Sequence, residues 1–433
     1  LTTATFPTSA ASAANKLTKT NVAAVIAGNV LEFYDFTTYT FFAAMIGAHY
    51  FPSKDPFISL MASLATFGVG FAMRPIGGIL IGAYADRAGR KPAMMLTVIL
   101  MAIGMTAIAL TPSYASIGPL APILVVMGRL VQGFALGGEV GPATSFLIEA
   151  APPNERGFYA SWQLGSQGLA TLFAGALGLF LSLILSARDM NDWGWRIPFF
   201  AGVLIIPVAM ILRSRMPETL DLSAPTTHSN SREVLAALLT QHTRPFVLAF
   251  LVISSGTIAT YVSNYMTTYA MTTLHLPASV SIAATLIVGL SVLVFSLLGG
   301  WLADRIGRKP LLIWPKLVSI LLAYPVYWLM NEYKSATVLL CATALLVSIG
   351  SLGSVLLVAI PETLPRSVRS AGLAVSYALG VTIFGGTAQP VVAWLIHVTG
   401  DPLSPAWYLV VSGIVGLGAV LLMPETKGEV LKD

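Results

Sequence analysis

Residues 83–92 read AYADRAGRKP, and residues 301–310 read WLADRIGRKP. The two stretches lie 218 positions apart and carry Asp, Arg, Gly, Arg, Lys and Pro in one order. Two further echoes follow. IEAAPPNERG, around Glu149, Pro152 and Arg156, returns as IPETLPRSVRS, around Glu362, Pro365 and Arg369, at an offset of 213. RMPET at 215–219 returns as LMPET at 422–426, at an offset of 207. Three correspondences in the same order describe two similar halves, residues 1–213 and 244–433, joined by a polar linker at 214–243.

The remainder of the chain explains why those charges stand out. Of 433 residues, 56% are hydrophobic and 10% charged, whereas soluble domains carry about 25% charged residues. Apolar runs near the length that spans a bilayer as a helix recur from end to end. Twelve can be placed, at 20–48, 57–84, 93–113, 119–149, 157–186, 194–213, 244–273, 278–303, 310–331, 336–361, 370–398 and 405–423. The fold class is therefore an all-α membrane protein with six helices in each half. Gly (38) and Pro (26) fall inside many spans, as lipid-embedded helices tolerate. Cys341 lies in a span, allows no intrachain disulfide and reads as packing filler. Residues 1–19 read as a short polar tail without the order of a cleaved signal peptide.

The positive charges orient the chain. With both termini on the cytoplasmic side, the inner segments hold seventeen of the 24 Lys and Arg residues and the outer segments four; Arg74, Arg129 and Lys316 lie within spans. That distribution accounts for the net charge of +5 without a nucleic-acid partner, and no basic-aromatic platform exists to bind one. The five His residues are scattered without metal-ligand spacing, and no nucleophile–His–acid set or phosphate-binding GKS or GKT is present. The chain is not expected to be an enzyme or to use ATP.

An ionisable group in the membrane interior is a functional candidate by default. Six qualify: Glu32, Asp35, Arg74, Arg129, Glu139 and Lys316. Arg74 lies twelve residues before Asp86, hence ~18 Å deep at the helical rise. Lys316 is about two turns from Lys309 and could snorkel to the inner surface. Glu32 and Asp35, three apart, share one side of the first helix. Two close, buried carboxylates suit proton uptake and release, and an Arg at a variable distance could switch them. Glu139 follows Gln132 by seven residues on nearly the same face, among glycines. Arg74 suits a carboxylate, because its planar guanidinium grips both oxygens and stays charged when desolvated. Lys316 ranks below the other interior charges as a candidate, and Asn29, Gln163, Gln167, Tyr261, Asn264 and Tyr265 supply further donors.

The repeated DRAGRKP and DRIGRKP resemble the signature loop of the major facilitator superfamily, after the second and eighth helices. NVLEFYDF (29–36), MRPIGG (73–78), GRLVQGFALGGEVG (128–141), FYASWQLGSQ (158–167), WGWRIPFF (193–200), IFGGTAQP and TGDPLSP (383–405) resemble the metabolite:proton symporters, closest to the citrate and tricarballylate carriers. The resemblance covers essentially the whole chain. It implies a twelve-helix alternating-access symporter in the bacterial inner membrane, working as a monomer, that imports a small organic anion with a proton. No cofactor beyond the proton gradient is implied, and the anion travels free or metal-complexed. It also implies Arg129 as the partner of Asp35 in coupling. Asp86 and Asp304 become latch acids, with Arg87, Arg90, Arg305 and Arg308 in the loops and Glu149 and Glu362 as partners. The same group contains carriers of 2-oxoglutarate, shikimate and betaine, and a non-transporting receptor on this scaffold is the alternative of another class.

Overall fold

The computed structural model describes residues 19–88, 90–137, 147, 151–152, 154–214, 240–364 and 369–427. Twelve helical units run through them. In the first half they are α1 (Lys19–Phe41, continued by Ala43–Tyr50), α2 (Pro56–Ala72 and Arg74–Ala88), α3 (Arg90–Leu110), α4 (Leu120–Leu136), α5 (Arg156–Ile184) and α6 (Ile197–Ser214). In the second half they are α7 (Thr243–Asn264 and Met266–Thr272), α8 (Ala278–Ile306), α9 (Arg308–Tyr333), α10 (Ala336–Leu352, then Leu356–Thr363), α11 (Arg369–Gly380 and Gly386–Thr399) and α12 (Ser404–Leu422). Among the described residues, nine helices are long and apolar enough to cross a membrane.

Local chemistry sets the ends. Asp55 accepts a hydrogen bond from Phe57 N–H ahead of Pro56, which opens α2. Ser335 caps α10 through Val338 N–H. Gly307, the Gly of DRIGRKP, at φ +112°, makes the turn between α8 and α9 that a side chain would resist. The burial pattern is inverted relative to a soluble protein: Ile79, Leu183 and Leu204 are 70–77% exposed, whereas Asp35 and Arg129 are fully enclosed. Apolar residues face outward because their solvent is lipid. Cys341 is exposed on α10, not packed in the interior.

Two helix pairs join the halves. Along α5 and α8 the backbones nearly touch: a Cβ on Gly168 would fall 2.4 Å from Leu293 N, and one on Gly289 would fall 2.3 Å from Leu172 N. Along α2 and α11, Gly68 meets Gly386 and the Thr382 hydroxyl donates to Phe71 O at 3.2 Å. The pairs differ in build. α5 and α8 are unbroken, whereas α2 is interrupted at Met73 and α11 contains a π-helical turn at Val381–Gly385. The expected linker is described only at its margins, since residues 215–239 lie outside the described residues.

Candidate functional site

Arg129 of α4 donates from Nη1 to Asp35 Oδ2 of α1 at 3.1 Å and to Gln132 Oε1 at 2.6 Å. Both charged side chains are fully buried. The guanidinium stacks against Phe36, Tyr39 and Phe67, with ring centroids 4.3, 4.6 and 5.1 Å away, so aromatic faces supply part of the stabilisation that water would give. Arg129 Nε and Nη2 and Asp35 Oδ1 keep unused hydrogen-bonding capacity. Glu32 is buried against Met101 and Met105 of α3 and Gly202 and Ile206 of α6. Glu139 lies outside the described residues.

A cavity of about 210 Å³ lies between the halves. Phe36, Phe67 and Gln167 line it from the first half, and Tyr261, Asn264, Lys316 and Tyr377 from the second. Phe36 and Phe67 therefore belong to both the cavity wall and the Arg129 cage.

Four expectations about the anion site change. Arg74 does not line the cavity. Its guanidinium sits between Phe71 and Phe36, 4.3 and 5.0 Å from their centroids, and against the Tyr261 hydroxyl; aromatic rings on the neighbouring helices hold the delocalised cation inside the wall. Asn29 and Gln163 do not line it either, because Asn29 Nδ2 donates to Gln163 Oε1 at 2.6 Å and ties α1 to α5. Tyr265 stands at the break in α7, buried in an apolar cluster with Val262, Met266 and Tyr269, while Tyr261 alone of the two reaches the cavity. Lys316 does not snorkel: its Nζ donates to Ser255 Oγ of α7 at 2.9 Å and lines the cavity. Tyr377 of α11, which lines the cavity together with Gln167, is an addition that no sequence pattern marks, being one hydroxyl among many in apolar helices.

The repeated loop organises one end of the molecule. Asp304 accepts from Gly157 N–H and Phe158 N–H, each at 2.9 Å, and so clasps the first turn of α5 across the seam between halves. Arg308 sits between Asp304, at 3.5 Å, and Glu362, which it grips through Nε and Nη2 at 3.2 Å each. The Thr426 hydroxyl also donates to Glu362, at 2.5 Å. Arg305 leaves this cluster, lying 3.7 Å over the Trp301 ring, because the next position along the helix turns away from the seam. Glu425 was signalled only by the LMPET echo; it receives the N–H groups of Arg308 and Lys309 at 2.9 Å and caps α9. Burial pushes the Glu425 carboxyl up, but the N–H groups of Arg308, Lys427, Lys309 and Thr426 outweigh it and hold it below its ordinary range. The side chains of Asp86, Arg87 and Arg90, and all of Glu149, lie outside the described residues.

This geometry agrees with what the chain resembles. The sequence model of the Major Facilitator Superfamily matches residues 25–377. A citrate-proton symporter of Klebsiella pneumoniae is 39% identical, over 91% of this chain and 89% of its own. A proline/betaine transporter of Escherichia coli (strain K12) is 32% identical, over 96% and 85%. The crystal structure of a D-xylose-proton symporter superposes with a TM-score of 0.75 at 20% identity, covering 95% of this chain and 99% of that one.

Proposed function

The chain belongs to the major facilitator superfamily, and on that premise we propose that it is a proton-coupled symporter importing a small organic acid, a tricarboxylate such as citrate or tricarballylate, by alternating access. The observation that carries this reading is one of adjacency. A carboxylate–guanidinium pair fully shielded from solvent shares the rings of Phe36 and Phe67 with a cavity between the halves. A proton on Asp35 removes the charge that holds Arg129. Arg129 then shifts against Phe36 and Phe67, and through those rings the protonation state reaches the substrate. Glu32, on the same helix, serves the proton path from the α3–α6 side.

Arg74 acts from within the wall, orienting Tyr261, while Gln167 and Tyr377 present donors to the substrate. The excess of positive charge on the loops supports a cytoplasmic side for the end bearing Asp304 and for both termini. Alternation is rocking of the halves about a site near the midplane, with the Asp304 clasp closing the inner side.

A second reading has its own support: Phe33, Phe36, Phe67, Tyr261 and Tyr377 around the cavity also suit the onium group of a betaine-like zwitterion. Reconstitution separates the readings. An imposed inward proton gradient should drive accumulation of citrate or tricarballylate, and a protonophore should abolish it. Accumulation of betaine instead would transfer the chain to the second reading, and binding without flux would make it a receptor.

A further inference from the structure

We propose that Lys316, with the hydroxyls of Ser319 and Thr343, forms a carboxylate subsite in the second half of the protein. The inference rests on the organic-acid reading above and names the group that reads the acid. Three observations support it.

Lys316 is a cation in a membrane span whose ammonium hydrogen-bonds Ser255 Oγ, and it forms no ion pair among the described residues. An uncompensated charge at that depth is costly, and a helix retains one where something else neutralises it during function. Its methylene stem passes Gly416 of α12, so it is held facing the cavity and does not reach the surface.

The cavity around it also has unused donors. Ser319 lies one turn further along α9, and Thr343 faces the same space from α10; neither hydroxyl has a hydrogen-bond partner. On the opposite wall Gln167 Nε2 is likewise unpartnered. The buried cavity-lining atoms that lack a partner can all donate, which describes the complement of an oxyanion. Finally, the first half buries Arg129 beside Asp35 and encloses Arg74 in rings, so among the described residues Lys316 is the cation lining the cavity that an entering anion can touch. A polycarboxylate held at Lys316 by one carboxylate and at Gln167 and Tyr377 by another bridges the two halves.

The test uses purified full-length protein and titration calorimetry with tricarballylate and with betaine. A charged hydrogen bond is worth enough that Lys316→Gln should weaken tricarballylate binding by about tenfold or more, while Lys316→Arg keeps most of it. The melting temperature of ligand-free Lys316→Gln should equal or exceed that of wild type, because a lone buried charge is gone; a merely structural lysine would lower it. Lys316→Gln that binds tricarballylate as tightly as wild type overturns the subsite and leaves the symporter reading standing. If that variant is not recovered folded, the Ser319→Ala/Thr343→Val double variant decides, with unchanged affinity again overturning the subsite. A wild-type protein that binds betaine and not tricarballylate removes the organic-acid reading itself, and the subsite falls with it.

Discussion

At the scale of single residues, the Asp35–Arg129 pair makes the sharpest demands. Removing one member of a buried ion pair leaves the other uncompensated, at about 3–5 kcal/mol. Arg129→Leu should therefore be poorly stable alone and recover when combined with Asp35→Asn, which thermal unfolding in detergent would measure. Asp35→Asn alone should keep substrate exchange but fail to concentrate substrate against its gradient. Undiminished accumulation in that variant would remove Asp35 from the proton path. This pair was legible through the family resemblance, which marks the Arg of GRLVQG as the coupling partner of the acid in NVLEFYDF, and the two side chains do meet. The placement of Arg74 and Lys316 was not. Depth follows from counting residues along a helix, but which neighbour a side chain meets depends on helix rotation, and neighbouring rings decided it for Arg74. Tyr265 shows the same limit, because α7 breaks there with no Pro or Gly to announce it.

At the scale of elements, the α5–α8 seam tolerates nothing larger than hydrogen at its contacts. Gly168→Ala would place a methyl 2.4 Å from the backbone of Leu293, and backbone cannot turn aside as a side chain can. The helices must separate, at about 1–3 kcal/mol, the usual cost of overpacking, with slowed transport. Gly418→Ala on α12 has open space and should be neutral or slightly stabilising; equal effects of the two in a melting assay would contradict the tight seam. The cap on α9 gives a pH-dependent counterpart. Glu425 is held ionised by four N–H groups, so its contribution is present above the ordinary carboxylate pKa of about 4.3 and is lost as pH falls below it. Glu425→Gln should lower stability at neutral pH by about 1 kcal/mol, as a lost cap does, and the gap from wild type should close under acid. Twelve apolar runs announce the helices. The interruptions in α2 and α11 need tertiary contacts to be seen, although Gly385 and Gly386 mark the second.

At the scale of the whole molecule, the two seams divide the work of alternation unequally. Two 29-residue helices in backbone contact make α5–α8 a stiff pivot. The interrupted pair α2–α11 can bend at Met73 and at the π turn, where such turns often mark functional sites. Contacts bridge the halves at both ends of this arrangement: the Asp304 clasp on α5 at one, and Phe57 stacked on His397 at 3.7 Å at the other. A carrier that cycles must release each in turn, so weakening one should bias the ensemble by the energy it contributes and no more. Asp304→Asn keeps the shape but removes the charge that faces the α5 N-terminus and balances Arg308. Spin labels at Glu155 and Ile306, in a Cys341→Ser background, lie on either side of that clasp. Asp304→Asn should enlarge the long-distance population between them, and Phe57→Ala should shrink it by favouring the opposite opening. Equal distance distributions in all three proteins would mean that the halves are held elsewhere, and that the repeated loop anchors charge at the membrane surface without latching the gate.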